Sequence, residues 1–520
     1  MSSRRVGRIA VMLAATLVCV SCGQIYRPVV IPTVTTPPNP ANFHSVFGLN
    51  VNIPGAPGAA VQISVSGDVV IGQTPSDANS ANVGINPTHI AVLPSNARVF
   101  VASAGSMFAG GADVVASFSP SFDSTVSTGL GTVFKFPLPN LVPNSDPTQP
   151  PFFCSYLPDF VATSQSTVVY VANYGVENGP GCNRSSTDSV AVLSNSTNTI
   201  SNIVYLAAGS HPVGMAETVD GRKLYVANQG NNTVTSFNTV DMSQNTVVGF
   251  SGTTPVWVVA RNDNHRVYVL TQGDGQLVTL DTASDSVIGS LSVGTGANFI
   301  AYDSRLSRLY VANPNNGTVY VISTTGSAND TPTLLRAITI PTLSACPTCS
   351  ALAPTQVAAL RDGSRFYVAG YQTATVCPDL NVAGACVIPQ LTVVDANSLN
   401  VKTSMYLLAA PAFNPTPATN PPPYAVPSVV SCAPSATYAP GSTRFRMTTA
   451  AAADSSRVYV GMCDAGAVAS VNTTTSTVGS GSTNTPDTLV LDMLAPFSGA
   501  PAGVNGEPPP QQPIFLLTGQ

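Results

Sequence analysis

The sequence predicts an all-β molecule, a β-propeller of four-stranded antiparallel blades, on three observations. These are its composition, a short aromatic strand that recurs along the chain, and the spacing of turns and strands around it. The chain has 520 residues, of which 44% are hydrophobic and 9% charged. Globular proteins average about 25% charged residues. The helix formers are scarce: Lys occurs at Lys135, Lys223 and Lys402, and Glu at Glu177, Glu217 and Glu507. Val, Thr, Ser and Asn fill the chain with 41 Gly and 44 Pro, a strand and turn vocabulary. A helical bundle and a doubly wound α/β fold are excluded. Disorder of the whole chain is excluded too, because it needs low hydrophobicity and high net charge.

The recurring strand reads RVFVAS around Phe100, VVYVAN around Tyr170, KLYVAN around Tyr225 and RVYVLT around Tyr268. It continues as RLYVAN around Tyr310, RFYVAG around Tyr367 and RVYVGM around Tyr459, which makes seven copies. Pro87, Pro212, Pro255 and Pro354 stand thirteen residues before the aromatic in four copies, and Pro158 one residue closer in another. A first strand lies in between, as in HIAVLP and VWVVAR, and a polar turn such as Asp220-Gly221 joins the two. Third strands follow in most copies, as in NTVTSFNT and TVYVIST, and then fourth strands such as SVIGSLSV. Each unit is therefore four strands, a to d, and a unit buries its faces only by stacking on neighbours.

This pattern resembles the YVTN family of β-propeller repeats, named for Tyr-Val-Thr-Asn in the second strand. The stretches that carry it are Tyr170 to Asn173, Tyr225 to Asn228 and Tyr310 to Asn313, with the Asn-Thr-Val run from Asn232. It covers residues 60–495 and is strongest from Gly209 to Thr324. Ser103, Thr271, Gly370 and Met462 depart from it at the Asn position. The resemblance implies a propeller and says little about chemistry, because these residues hold blades together.

The seven copies set the expected count at seven blades. The alternative is eight, the last built from both termini. VQISV (residues 61–65) and VVIGQ (69–73) look like strands c and d with no a and b before them, and PIFLL (513–517) is a lone strand.

The N-terminus carries Arg4, Arg5 and Arg8, an apolar run from Ile9 to Val20, and then Ser21-Cys22-Gly23. This reads as a signal peptide over residues 1–21, with Cys22 as the acylated first residue of a bacterial lipoprotein. Cys19 stands where such lipoboxes usually have Leu. Residues 22–42 then form the lipid attachment and a Pro-rich tether, and 43–520 a single propeller domain. Gln24 and the absence of Asp after Cys22 imply outer-membrane sorting, on the periplasmic or cell-surface side. Cleavage removes three of the 20 basic residues and none of the 25 acids, leaving a net −8. Such a chain is a poor partner for nucleic acid. Membrane contact is expected through the lipid alone, and the molecule is expected to be a monomer.

Eight cysteines remain: Cys154, Cys182, Cys346, Cys349, Cys377, Cys386, Cys432 and Cys463. An even number in an exported chain reads as disulfides. Cys377 and Cys386 suit a loop staple. The CxxC of Cys346 and Cys349 reads as a small structural disulfide, because it has no helix start to activate a thiol, no following His and no second pair at zinc spacing.

Candidate ligand-binding residues come from aligning strand a. Two positions after the repeated Pro place stand His89, Phe160, Gly214, Trp257, Phe299, Gln356 and Thr448. If they share a channel rim, His89, Phe160, Trp257, Phe299 and Gln356 could hold a small apolar or sugar-like ligand; otherwise they pack between blades. His211 falls near the start of strand a, while His265 sits in an exposed turn. Glu217 aligns with Val92, Ala260, Tyr302 and Ala359, so no ring of metal-binding carboxylates forms. Asp281 and Asp285 read as ordinary hairpin residues. No Gly-x-Ser-x-Gly, HExxH or phosphate loop is present. The expected function is a non-enzymatic binding or scaffold propeller at the cell envelope, without cofactor, whose partner is a protein or carbohydrate. The rival is a propeller hydrolase or lactonase with a metal in the channel, which would need Glu217, His89 and an Asp or Asn to converge.

Overall fold

The computed structural model describes residues 45–519 except 53–54, 66, 75–81, 108–110, 121–132, 139–153, 165–167, 179–181, 183, 326–330, 343–345, 347, 379–383, 408, 412–431, 435–442, 475, 478–482, 485 and 495–511. The signal peptide, Cys22, the tether and His44 lie outside the described residues.

The described strands form eight sheets of four antiparallel strands, one of them with a short fifth strand, and a separate two-stranded hairpin. Blade 1 runs from Pro87–Val92 (a) through Val99–Ala104 (b) and Asp113–Phe118 (c) to Phe134–Leu138 (d). Blades 2 to 7 repeat the order, with strands a at Pro158–Thr163, Pro212–Glu217, Pro255–Ala260, Phe299–Asp303, Ala353–Ala359 and Met447–Ala451. Each strand a touches the strand a of the next blade, and the circuit closes from blade 7 through blade 8 to blade 1. Strand d faces outward: in blade 5 it is Thr333–Thr339, exposed except at Ile338.

The expected seven blades are corrected to eight. Blade 8 takes strand a from the C-terminal Gln512–Thr518 and strands b, c and d from Ser45–Val51, Ala59–Ser64 and Val69–Gln73. Its strand b pairs Phe47 with Leu517 on one side and Gln62 on the other, so Phe47 holds the place of the repeated Tyr. That strand reads SVFGLNV, with no Tyr-Val to betray it. Pairing the two chain ends in one sheet leaves the ring no open blade.

The aromatics of strand b are sealed between blades: Tyr225, Tyr268, Tyr310, Tyr367, Tyr459 and Phe100 are wholly buried, and Tyr170 nearly so. A buried phenol needs a partner for its hydroxyl. In three blades that partner is an Asp in the c–d turn of the following blade. Tyr225 Oη donates to Asp285 at 2.6 Å, Tyr459 Oη to Asp68 at 2.6 Å, and Tyr367 Oη to Asp487. The basic residue two positions before each Tyr grips the same carboxylate: Lys223 Nζ on Asp285 at 2.9 Å, Arg457 Nε on Asp68 at 3.0 Å, and Arg365 on Asp487 at 2.6 Å. Asp68, Asp285 and Asp487 have φ of 49°, 49° and 62°, a left-handed conformation that Asp tolerates better than bulkier residues. Asp281 caps its own turn, accepting from the backbone N–H of Ala283 and Ser284, as expected of a hairpin residue. Asp285 is instead an inter-blade latch, which corrects its reading as a hairpin residue.

Four disulfides pair the eight cysteines: Cys154–Cys182, Cys346–Cys349, Cys377–Cys386 and Cys432–Cys463. Among the described residues no helix is long and apolar enough to cross a membrane.

Candidate functional site

Strand register places the aligned candidates at one level of the ring. His89 pairs with Ala102, Phe160 with Ala172, Trp257 with Leu270, Phe299 with Ala312 and Gln356 with Ala369, in each case two residues past the buried aromatic of strand b. Phe515 pairs with Leu49 and holds the same level in blade 8.

Four of the five candidates meet at the axis. His89 stacks on Phe160 at 3.8 Å between centroids, Phe160 meets Trp257 edge-on at 5.6 Å, and Trp257 meets Phe299 at 5.4 Å. Phe515 closes the circle against His89 at 4.7 Å. Phe445, from the segment before blade 7, fills the middle, 5.7 Å from Trp257 and 5.6 Å from Phe299. Gln356 is turned away, and its Oε1 accepts from the backbone N–H of Thr449 at 3.0 Å across the blade 6–7 seam. Gly214 and Thr448, small at this level, add no ring to the cluster.

A buried ion pair accompanies the rings. Arg444 binds Asp159 and the carbonyl of Val213, and its guanidinium lies 5.6 Å from the Phe160 ring and 5.9 Å from Trp257. Burial pushes the Asp159 carboxyl above the usual carboxylate range, while Arg444 pulls it back down. His89 Nδ1 lies 3.1 Å from the carbonyl of Val161, and burial, then the Arg444 charge, lower its pKa to about 3. His89 is therefore a neutral core imidazole.

The residues that a channel enzyme would require do not converge. Glu217 ends strand a of blade 3, where Tyr170 Oη donates to it at 3.1 Å. His211 is paired with a carboxylate outside that set. It lies 3.0 Å from Asp188 and stacks on Tyr174 at 4.2 Å, and the bond to Asp188 raises its pKa. His265 is exposed, as its turn position suggests.

An open pocket of about 520 Å³ lies beside the axis, on the face carrying the d–a and b–c loops of blades 4 to 6. Blade 4 contributes Thr254, Gln272 and Gly273, and blade 5 Thr295, Gly296, Asn298, Pro314 and Asn315. Blade 6 adds Ala353, Thr355 and Tyr371, and Pro434 borders it from the segment that leads to Phe445. The repeat's own Asn positions one wall: Asn313 Nδ2 donates to the carbonyls of Val293, Gly294 and Thr295 at 2.9, 2.9 and 3.2 Å. The strand-a alignment missed this pocket because its residues hold neighbouring places of the repeat, in loops of blades 4 and 5 and in the strand ends that carry Ala353, Thr355 and Tyr371 in blade 6. The departures of Thr271 and Gly370 from the repeat Asn, in the blades flanking Asn313, were one available signal.

No protein-family model and no curated protein sequence matches the chain. Among solved structures the chain is similar to the following. The Pseudomonas aeruginosa periplasmic gluconolactonase PpgL is 14% identical, with a TM-score of 0.46 over 70% of this chain and 96% of that one. Hydrazine synthase of Kuenenia stuttgartiensis is 15% identical, with a TM-score of 0.40 over 61% and 76%. The β-propeller domain of Myceliophteria thermophila Cps50 (Swd1) is 9% identical, with a TM-score of 0.40 over 62% and 86%. The class that strand order and register define is the eight-bladed β-propeller closed by both termini.

Proposed function

We propose that this chain is an exported, lipid-anchored propeller that binds a ligand without transforming it, at the pocket over blades 4 to 6. The observation that carries the reading is the contrast at the axis. The channel is filled with aromatic rings, and its His89 and Asp159 are occupied in packing and ion pairing, while the adjacent pocket stands open. Four disulfides support an oxidising compartment. The basic, apolar and Cys-ended N-terminus supports acylation at Cys22 and attachment to the outer membrane.

Two experiments test this. Cys22→Ser should release the chain from membranes and abolish acyl labelling; unchanged partitioning would remove the anchor. Thermal shift of the full chain with saccharides, peptides and aldonolactones should show stabilisation by a ligand that is recovered intact. Hydrolysis of a lactone above the spontaneous rate would replace the binding protein with a hydrolase.

A further inference from the structure

We propose that the pocket over blades 4 to 6 takes an uncharged polyhydroxylated ligand, a neutral saccharide. The proposal deepens the reading of that pocket as the ligand site and rests on it. Three features of the lining point to this class.

The first is the kind of polar group present. The available side chains are the hydroxyls of Thr254 and Thr295, the amides of Gln272, Asn298 and Asn315, and the ring of Tyr371. None of the lining residues is Lys, Arg, His, Asp or Glu. An amide both donates and accepts, as a hydroxyl does, so amides and hydroxyls match a sugar edge. A charged ligand would lose its hydration here with no counter-charge in the wall. The adjacent cation, Arg446, lies 5.1 Å from the Tyr371 ring centroid and is held by Asp464 at 2.7 and 3.0 Å, so its charge is already matched. A Tyr ring beside amides suits the C–H faces of a pyranose, which are apolar while its rim is polar.

The second is unmet hydrogen-bonding capacity. Gln272 Oε1 and Asn298 Oδ1 are buried and have no hydrogen-bond partner among the described residues. Asn298 is 4% exposed. Leaving a buried acceptor unpaired costs stability, which a ligand O–H would recover. Both oxygens belong to residues that line the same pocket.

The third is that one wall is fixed before any ligand arrives, by the bonds from Asn313 Nδ2 to the carbonyls of Gly294 and Thr295, and that glycines leave room for side chains beside it. Gly296, at φ +88°, allows the Asn315 amide to lie against the backbone: a Cβ there would stand 2.0 Å from Asn315 Nδ2. Gly273 does the same for Thr254, whose Oγ1 would stand 3.0 Å from an added Cβ. Preorganised donors and acceptors lower the ordering cost of binding. The volume, about 520 Å³, falls in the range of small-molecule sites, roughly 300–1,000 Å³.

The test is calorimetry of the full chain, in detergent, with neutral gluco-, manno- and galacto-configured trisaccharides, matched uronic-acid trisaccharides and a mixed peptide pool. At least one neutral saccharide should bind, and Asn298→Leu should weaken it at least tenfold. Asn315→Ala, at an exposed and structurally undemanding position, should weaken it several-fold without changing the melting temperature. Trp257→Phe should leave affinity unchanged. A uronic acid or peptide that binds and is lost in both pocket variants would overturn the saccharide class while leaving the pocket as the ligand site. A saccharide whose affinity ignores both pocket variants would overturn the pocket itself. Absence of binding across the whole panel would overturn both.

Discussion

The axis and the pocket are built from the same repeat, a few residues apart along the chain, yet they differ in packing and in access. At the axis, rings from five blades and Phe445 meet around the Arg444–Asp159 pair, and the polar groups there are closed in by packing. In the pocket, loops from blades 4 to 6 display amides and hydroxyls, some of them unpaired. The difference teaches that position in a propeller does not by itself decide role. Large apolar residues at the innermost level turn a channel into a core, and the proposed ligand site lies beside it.

The largest effect expected on the core side is from Tyr268→Ala. Tyr268 is wholly buried and belongs to the same packed cluster as Trp257 and Phe445. Truncation should cost about 3–5 kcal/mol in a denaturant titration. His265→Ala, three residues earlier in an exposed turn, should cost under about 0.5 kcal/mol. Equal shifts for the two variants would reject the register that seals strand b.

Arg444→Met comes next. It strands Asp159, 3% exposed, without its partner. Losing one member of a buried pair costs about 3–5 kcal/mol. The lower end is expected, because burial already pushes the Asp159 carboxyl above its usual range and so eases its neutralisation once the partner is gone. Adding Asp159→Asn should restore part of the loss. A neutral single variant would show that the axis is hydrated and open.

A pH series follows in size. His89 stays neutral in the fold down to about pH 3, whereas the unfolded imidazole takes a proton below about 6.5. Stability should therefore fall as pH drops below about 6.5, by at most about 1.4 kcal/mol per unit, and His89→Phe should remove that slope. His211 acts in the opposite sense. Its folded pKa is raised, so its contribution is complete below about 6.5 and disappears as pH rises through the folded value. The two histidines together place the best stability near pH 6.5. A profile in which His89→Phe leaves the acid slope intact would put His89 in contact with water.

The smallest stability effect belongs to the pocket. Asn315→Ala should change stability by under about 0.5 kcal/mol, because its exposed amide serves binding and not packing. A loss of several kcal/mol would make the pocket wall part of the core.

The sequence disclosed what repeats. Strand b was legible because its Tyr recurs in a fixed neighbourhood, and the same spacing aligned His89, Phe160, Trp257, Phe299 and Gln356 at one level, of which the first four pack together at the axis and Gln356 bonds across a blade seam. The eighth blade was hidden because Phe47 replaces the Tyr and because its strands come from opposite ends of the chain. The latches were hidden for a related reason. Asp285 and Asp68 look like turn residues, and their Tyr partners lie 60 and 391 residues away. The Arg or Lys two places before each Tyr was the visible half of each latch. The pocket escaped because its wall uses other places of the repeat than the inner level: Gln272, Pro314 and Tyr371 each stand four after the strand-b Tyr, and Thr254, Gly296 and Ala353 each one before the Pro place.

Trp257 is the single Trp of the chain and sits at the axis, 9% exposed. Its fluorescence, measured with acrylamide and again at saturating ligand, tests the contrast between a closed axis and an open pocket most directly. A closed axis predicts blue-shifted emission, weak quenching, and no change when the pocket fills. Quenching as strong as that of free indole in water, or emission that shifts as ligand binds, would place the ligand in the channel and contradict the account.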